Sequence, residues 1–450
     1  MNTNTSITIK NFKSYKEATL PLSPLTLLIG ANASGKSNAI EAFRFLSWVA
    51  GGERLSTLKN RVNDSDKVVR GSIKDLAFNS KEQFALIFQM EGQIEYEGVF
   101  EVNSNSIELK NEVISSKEDK VFILKSLKSP YFSKLSKFNT VNLVDRLDTL
   151  AKRVNKLDNF RSLEIDKNIS IYKNEDNDVS EFIMFDKHIA ILDHLGEEKN
   201  NAWSDFYNLR QFLQQSFFFD FVPSIMRTDS ISDNDLRPNG SNIAGVLYSI
   251  CQQNNKKHKL LKLVKSLPEQ DIIDIKFYED HRSRIEFELI ETFGDRPTER
   301  TMDLLSDGTL KVLGIAAALL SVPEGATVVI EEIDNSIHPT RAHEILSLMR
   351  KYAEERNLKL LLSTHNPALM DALPDKALSD VVFCYRDPKA GDSKLVRLGD
   401  LDDYLGLVAQ GTLGDLVTQG IVERFIKHPT TPEQRKKQAL SWLSQLQGAD

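Results

Sequence analysis

This sequence is poor in the features that mark membranes, secretion and metal clusters. It has only two cysteines, Cys251 and Cys384. They allow at most one disulfide and lack metal-ligand spacing, so no redox or zinc chemistry is suggested and a reducing compartment is expected. The longest uncharged apolar run, Val312 to Pro323, falls short of the roughly 18 residues that a membrane span needs. The polar start, Met1 to Thr5, lacks the basic-then-apolar shape of a signal peptide. A cytoplasmic chain with no membrane partner is therefore expected. With 41% hydrophobic and 27% charged residues, the composition has neither the apolar bias of a membrane protein nor the polar bias of wholesale disorder. A formal net charge of -7 argues against a surface that is basic all over, yet leaves room for a local basic patch facing phosphates.

What is present is length. At 450 residues the chain can build two or three cores or one large elaborated core. Ile7 to Ile9 alternates apolar and polar, Pro24 to Ile29 is a short apolar run, and Gly30 to Ser37 interrupts it before Ala39 to Val49 takes up a helical spacing. That order predicts strand, Gly-rich loop, helix. Val68 to Ile73, Gln83 to Glu91 and Ile94 to Glu101 read as short antiparallel strands, the last two joined at Gly92.

Between about 115 and 215 turn signals thin out and polar residues dominate, which predicts an insertion. Residues 116–175 carry 13 Lys or Arg against 8 Asp or Glu, so this stretch is cationic inside an anionic chain. Leu143, Leu147, Leu150, Val154 and Leu157 recur at gaps of four and three, as do Phe182, Phe185, Ile189 and Leu192. Each set suits an amphipathic helix, but the first covers only about two heptads, so a short helical hairpin is expected instead of a long coiled coil. The charge excess reads either as a solvated helix face or as a nucleic-acid surface.

After residue 216 globular character returns. Phe217, Phe218, Phe219 and Phe221 suit a buried strand, Ser241 suits an N-cap for a helix through Ile250, and Ile272 to Tyr278 with Ile285 to Ile290 suits a hairpin. From 310 onward helices and strands alternate: Leu310 to Leu320, Thr327 to Ile330, Arg341 to Arg356, Lys359 to Ser363, and Val381 to Tyr385. This alternation predicts a parallel α/β sheet. A last helix, opened by Thr431 and Pro432, carries Leu440, Trp442, Leu443 and Leu446 as a packing face.

Gly30-Ala31-Asn32-Ala33-Ser34-Gly35-Lys36-Ser37 matches G-x-x-x-x-G-K-[ST], and it sits after an apolar strand and before a helix, as a phosphate-binding loop must. Its glycines let backbone N–H groups turn inward around phosphate oxygens, and the following helix adds its positive end. Lys36 would reach the β and γ phosphates, and Ser37 would ligate Mg²⁺. Hydrolysis needs more: an acid that supports the metal and a base that orients water. Glu331 and Glu332, at the end of the apolar run Thr327 to Ile330, offer two carboxylates that a strand would aim to opposite sides. Glu331 would support Mg²⁺ and Glu332 would polarise the attacking water; the alternative is an exposed Glu-Glu pair ending a strand. Ser306 and Gly308, before an apolar helix, could present donors to a second anion, or form an ordinary turn and cap. His365 follows another apolar strand, where an imidazole could contact a γ-phosphate or serve structure alone.

The order and spacing of these segments resemble those of ABC-type ATPases of the RecF, SMC and OLD-like branch, and in particular the stand-alone bacterial ATPases grouped as an AAA family. Ile9 to Tyr15 is similar to the branch's N-terminal strand and turn, Gly30 to Ser37 to its Walker A, and Leu305 to Thr309 to its signature. Val328 to Glu332 resembles the Walker B, Asp334 to Pro339 the D-loop region, and Ser363 to Asn366 the switch-histidine segment. The resemblance covers roughly residues 1–110 and 216–420. Glu331 stands where ABC proteins usually carry Asp, a substitution shared by many of the stand-alone group. No Q-loop is identified, since Gln89 falls on an expected strand.

The resemblance implies an α/β ABC-type head, a mixed and partly parallel sheet with an antiparallel subdomain, interrupted by a helical insertion. Its halves would be residues 1–110 and 216–425, with the insertion at 111–215 and a terminal helix at 426–450. It implies ATP and Mg²⁺ as cofactors, with Gly30, Asn32, Ser34, Gly35, Lys36, Ser37, Ser306 and Gly308 on nucleotide, Ser37 and Glu331 on metal, and Glu332, His365 and Lys36 in catalysis. Two such heads would sandwich ATP as a head-to-head homodimer. Nucleotide state would then be coupled to DNA or to a separate effector protein, a nuclease or toxin, as in anti-phage defence. The alternatives are a repair ATPase of RecF type and a nucleotide-gated scaffold with little turnover. A transporter ATPase is disfavoured by the long insertion, and a fused nuclease by the lack of partners for Asp400 and Asp402.

Overall fold

The computed structural model describes residues 5–60, 68–90, 94–104, 106–116, 122–126, 169–172, 204–265, 271–293, 296–335 and 342–427. In chain order its first part runs β1 (Ser6–Phe12), β2 (Tyr15–Pro21), β3 (Leu25–Ile29), α1 (Lys36–Ala50), β4 (Gln83–Met90), β5 (Ile94–Val102), β6 (Ile107–Ser116), β7 (Phe122–Ser126), β8 (Ile169–Tyr172) and α2 (Ser204–Gln214). The remainder runs β9 (Ser216–Phe219), β10 (Ser230–Ile231), α3 (Ile243–Cys251), α4 (Asn254–Val264), β11 (Asp271–Glu279), β12 (Arg284–Phe293), β13 (Arg296–Thr301), α5 (Asp307–Ser321), β14 (Thr327–Ile330), α6 (Ala342–Glu355), β15 (Lys359–Thr364), β16 (Val382–Arg386) and β17 (Ser393–Arg397). The chain divides into two compact units, one of residues 1–17 and 41–214, the other of residues 18–40 and 215–450.

The first unit is built on a sheet ordered β2-β1-β4-β5-β6-β7-β8, most of it antiparallel neighbours in sequence. Its strands alternate as half-buried strands should: Phe84, Leu86 and Phe88 of β4 are buried while Gln83, Ala85 and Ile87 are not. Phe12, Phe45, Phe84 and Phe100 interlock there with ring centroids 5.0–5.7 Å apart, the offset and edge contacts that aromatic quadrupoles favour. Glu41, 1% exposed in its side chain, is met by both Lys13 and Arg70. A carboxylate so deep is tolerated only when paired, and each of its oxygens has its own cation here.

Two expectations are corrected in this unit. Residues 68–73 are not a strand: the chain bends and enters a 3₁₀ turn at Ile73–Leu76. Gly71 sits at φ +87°, and the Ser72 N–H and hydroxyl both donate to the Asp75 carboxylate at 2.7 and 2.8 Å, local bonds that outcompete pairing with a neighbouring strand. Within 111–215, expected to be helical, the described residues are strand until 126 and again at 169–172, and only 204–214 is helix. The sheet runs through residue 110 without a break because β6 pairs with β5 on one side and β7 on the other. Both amphipathic stripes and most of the cationic stretch lie outside the described residues, as does the expected final helix.

The second unit centres on a sheet ordered β17-β16-β3-β15-β14-β9, in which β16, β3, β15, β14 and β9 are mutually parallel. β3 and β14 are buried at every residue, the near-continuous apolar signature of strands covered on both faces. α5 is buried from Thr309 to Leu320 at every residue but Lys311, which places it inside the core, as a helix apolar over nearly its whole surface must be. Beside this core stand α3, α4 and the antiparallel strands β10 to β13. The helix expected from Ser241 is capped by Asn242 instead, whose side chain is occupied by the backbone of Arg237 and Asp235 and by Asp233.

Candidate nucleotide-binding site

Three neighbouring parallel strands end at the same edge of the second unit's sheet, and each hands over to one of the predicted motifs. β3 leads into Gly30 to Ser37, β15 into His365, and β14 into Glu331 and Glu332. The pairing of Thr364 with Ile29 sets the exits of β3 and β15 level, and that of Ile330 with Leu362 ends β14 two residues earlier at the same edge. Parallel α/β sheets bind ligands at this carboxyl edge, where loops diverge.

The loop after β3 has the backbone of a phosphate cradle. Gly30, Ala33 and Gly35 take φ of +145°, +62° and +119°. Gly30 is required for space as well: a Cβ there would lie 2.1 Å from the Cys384 carbonyl oxygen of β16. Cys384 also donates its thiol to the Ser34 carbonyl at 3.3 Å, so the loop rests on β16 at two points. Asn32 is exposed, Ser34 is buried with a hydroxyl that has no hydrogen-bond partner among the described residues, and Ser37 lies half-buried in the first turn of α1. Lys36 folds back to donate to the Gly30 and Ala31 carbonyls at 2.6 and 2.9 Å. Burial lowers its proton affinity, while Cys384, Asp334 and Glu332 pull the other way.

The two glutamates after β14 differ. Glu331 is half-buried, whereas Glu332 is exposed and holds φ +50°, a left-handed conformation that costs a non-glycine residue on the order of 1 kcal/mol. Its N–H donates to the Ser363 hydroxyl at 3.0 Å, which ties the turn to β15. His365 meets Asp334, with Nδ1 3.0 Å from Oδ2. Asn366 caps the short helix that follows by accepting from the Ala368 N–H at 3.0 Å. Of the expected D-loop region, residues 336–339 lie outside the described residues. Gln89 bonds Glu95 across the hairpin of the first unit.

Ser306 and Gly308 open α5. Ser306 is its N-cap, accepting from the Thr309 N–H at 3.1 Å, so the bland reading of a cap is true whatever else the residue does. Arg227, which sequence reasoning passed over, donates to the Leu305 carbonyl at 2.9 Å and pairs with Asp307 at 2.6 Å. Its only signal in the sequence was an isolated charge after an aromatic run.

The donor set suits a magnesium nucleotide. Lys36 and the N-terminus of α1 offer positive charge, while Ser37 and Glu331 offer oxygen ligands; Mg²⁺ takes few protein ligands and completes its shell with phosphate and water. Among the described residues no group of three His, Cys, Asp or Glu could hold a metal unaided, and no helix is long and apolar enough to cross a membrane.

The chain is similar over short stretches to two ATP-binding proteins. The methionine import ATP-binding protein MetN 2 of Shouchella clausii (strain KSM-K16) is 28% identical over 126 residues, 27% of this chain and 33% of that protein. The phosphonates import ATP-binding protein PhnC 1 of Ruegeria sp. (strain TM1040) is 33% identical over 81 residues, 18% and 31% of the two chains. The matched stretch thus spans about a third of either relative. Among solved structures, the SmcHead bound to the C-winged helix domain of ScpA aligns at 12% identity and a TM-score of 0.41, over 88% of this chain and 97% of that one. The SMC head domain from Thermotoga maritima aligns at 13% and 0.36, over 88% and 99%. Residues 25–371, which run from β3 past His365, match one family throughout, and the chain belongs to that family, described as "AAA domain, putative AbiEii toxin, Type IV TA system".

Proposed function

We propose that the chain is an ATPase of ABC type that binds MgATP at the carboxyl edge of β3, β15 and β14. The observation that carries this reading is the convergence of the Lys36 loop, His365 and the Glu331–Glu332 pair at three adjacent strand ends, close enough that Glu332 and Asp334 act on the Lys36 ammonium. Backbone N–H groups of Gly30, Asn32, Ser34 and Gly35 cradle the phosphates, and Lys36 exchanges its two carbonyl partners for β and γ oxygens. Ser37 and Glu331 hold Mg²⁺, which when bound neutralises charge developing on the transferred phosphoryl group. Glu332 orients and polarises the attacking water, and His365 contacts the γ-phosphate.

Ser306 and Gly308 serve the nucleotide of a second copy, so two chains close head to head around two ATP molecules. Hydrolysis then releases the clamp. On this reading the nucleotide state governs either a separate effector, a nuclease or toxin, or the binding of DNA. The deciding experiment measures ATP hydrolysis by the wild type, Lys36→Ala and Glu332→Gln at saturating MgATP. Activity that survives both substitutions overturns the reading.

A further inference from the structure

The His365–Asp334 contact is not required by phosphate binding, and its two partners are unequally placed. The Asp334 side chain is 4% exposed, while His365 is 43% exposed. One carboxylate oxygen, Oδ2, lies 3.0 Å from His365 Nδ1; the other, Oδ1, is buried without a hydrogen-bond partner among the described residues. A pair made only for stability would be a poor use of this carboxylate. Its burial is costly, one oxygen is uncompensated, and an imidazole open to solvent returns little. A buried polar atom left unsatisfied among the described residues calls for an explanation, and a role in chemistry is one that fits this position.

The geometry of the ring supplies that use. Nδ1 and Nε2 lie on opposite sides of an imidazole, so a carboxylate at Nδ1 takes the N–H on that nitrogen and turns Nε2 away from itself. Asp334 reaches this position because a 3₁₀ turn, Ile333–Asn335, follows directly on β14, and β15 beside β14 delivers His365. Ile333, with no exposed surface, anchors the turn. The charge of the same carboxylate also favours the protonated form of Lys36, so the phosphate loop lies within its electrostatic reach.

We propose that Asp334 is a positioning residue for His365: its carboxylate fixes the imidazole as the Nδ1–H tautomer and presents Nε2 to the nucleotide. This rests on the ATPase reading for its purpose, but the tautomer itself does not. Carboxylates orient histidines in the same manner in triads and behind metal-bound imidazoles.

The test uses the full chain labelled with ¹⁵N-histidine, with the His365 signals assigned by their loss in His365→Asn. Two-bond ¹⁵N–¹H correlations above neutral pH then report which nitrogen is protonated. The wild type is expected to show Nδ1–H at His365. Asp334→Ala is expected to move the signal toward Nε2–H, the tautomer free imidazole prefers, and Asp334→Asn, which keeps an acceptor, to retain Nδ1–H. A wild-type Nε2–H signal overturns the proposal even if neither variant folds, and so does an Asp334→Ala spectrum identical to wild type. In the kinetic arm, Asp334→Ala is expected to lower kcat at least tenfold with KM for ATP changed less than about threefold, and to have no further effect in a His365→Ala background. Additive losses overturn the coupling. A wild type that hydrolyses no ATP would fell the ATPase reading, and this result is separable from the tautomer because the spectra are recorded without turnover.

Discussion

The hydroxyl oxygen of Ser363 accepts the backbone N–H of Glu332 at 3.0 Å. It joins the ends of β14 and β15 and holds Glu332 at φ +50°, a conformation the chain would otherwise leave. A net hydrogen bond of about 0.5–1.5 kcal/mol is comparable to the cost of that conformation. Ser363→Ala is therefore expected to lower kcat roughly three- to tenfold while ATP affinity stays within about twofold, because the residue acts on the base and not on the phosphates. Steady-state kinetics beside a nucleotide titration separates the two. Weakened binding at unchanged kcat would refute the role.

Lys36 gives a prediction about stability as well as binding. Its pKa lies below the usual 10.5 because burial penalises the charged form. For a lysine shifted downward, the unfolded chain holds the proton more tightly between the two pKa values, so the penalty is full near neutrality and fades as pH rises toward 10.5. Lys36→Met is expected to melt no lower than wild type at pH 7 without nucleotide, with any advantage shrinking in alkaline buffer. It should lose the rise in Tm that saturating MgATP gives the wild type, a linkage worth about 2.7 kcal/mol at 100 times Kd. A retained MgATP shift would remove Lys36 from phosphate binding.

Glu332→Gln keeps the shape of the side chain and removes its basicity. It is expected to bind ATP, to turn over at least a hundredfold more slowly, and to accumulate as a dimer in saturating MgATP. Sedimentation or light scattering reads the mass directly. A Glu332→Gln protein that stays monomeric under these conditions would sink the head-to-head arrangement.

Ser306 separates a helix cap from an intermolecular contact. Ser306→Ala loses the bond to the Thr309 N–H and is expected to cost about 1 kcal/mol of stability. Ser306→Asp keeps a capping oxygen and suits a helix N-terminus, so its Tm should match wild type, yet its charge would repel a phosphate from the second copy. A stable Ser306→Asp protein that still dimerises with ATP would leave Ser306 as a cap and nothing more.

The strand, loop and helix around Gly30 to Ser37 were legible because the pattern is contiguous: the glycines, Lys36 and Ser37 stand within eight residues between a strand and a helix. Glu332 and His365 were legible for a similar reason, each standing just beyond a short apolar strand. What could not be read is how those strands lie side by side. The Ser363–Glu332 and Asp334–His365 contacts each span 31 residues, and they exist only because β14 and β15 are neighbours at a particular register. Arg227 on Asp307 is of the same kind. The difference at 111–126 had another origin: a register shift against β5 breaks the two-residue beat of β6 after Leu109 and turns Glu112 inward to accept from the Tyr96 hydroxyl, and the pairing of β6 with β5 and β7 overrode what composition suggested.

The approach of Gly30 to the Cys384 carbonyl has a consequence for how this sequence can drift. On the proposed reading position 30 answers to two masters, a phosphate in front and a strand behind, and the strand by itself already demands glycine. A descendant that abandoned ATP would still be unable to replace Gly30 unless the path of β16 moved as well. Glycine there is accordingly a poor witness to activity, and the loss of Lys36 or Glu332 would mark a degenerate copy far sooner.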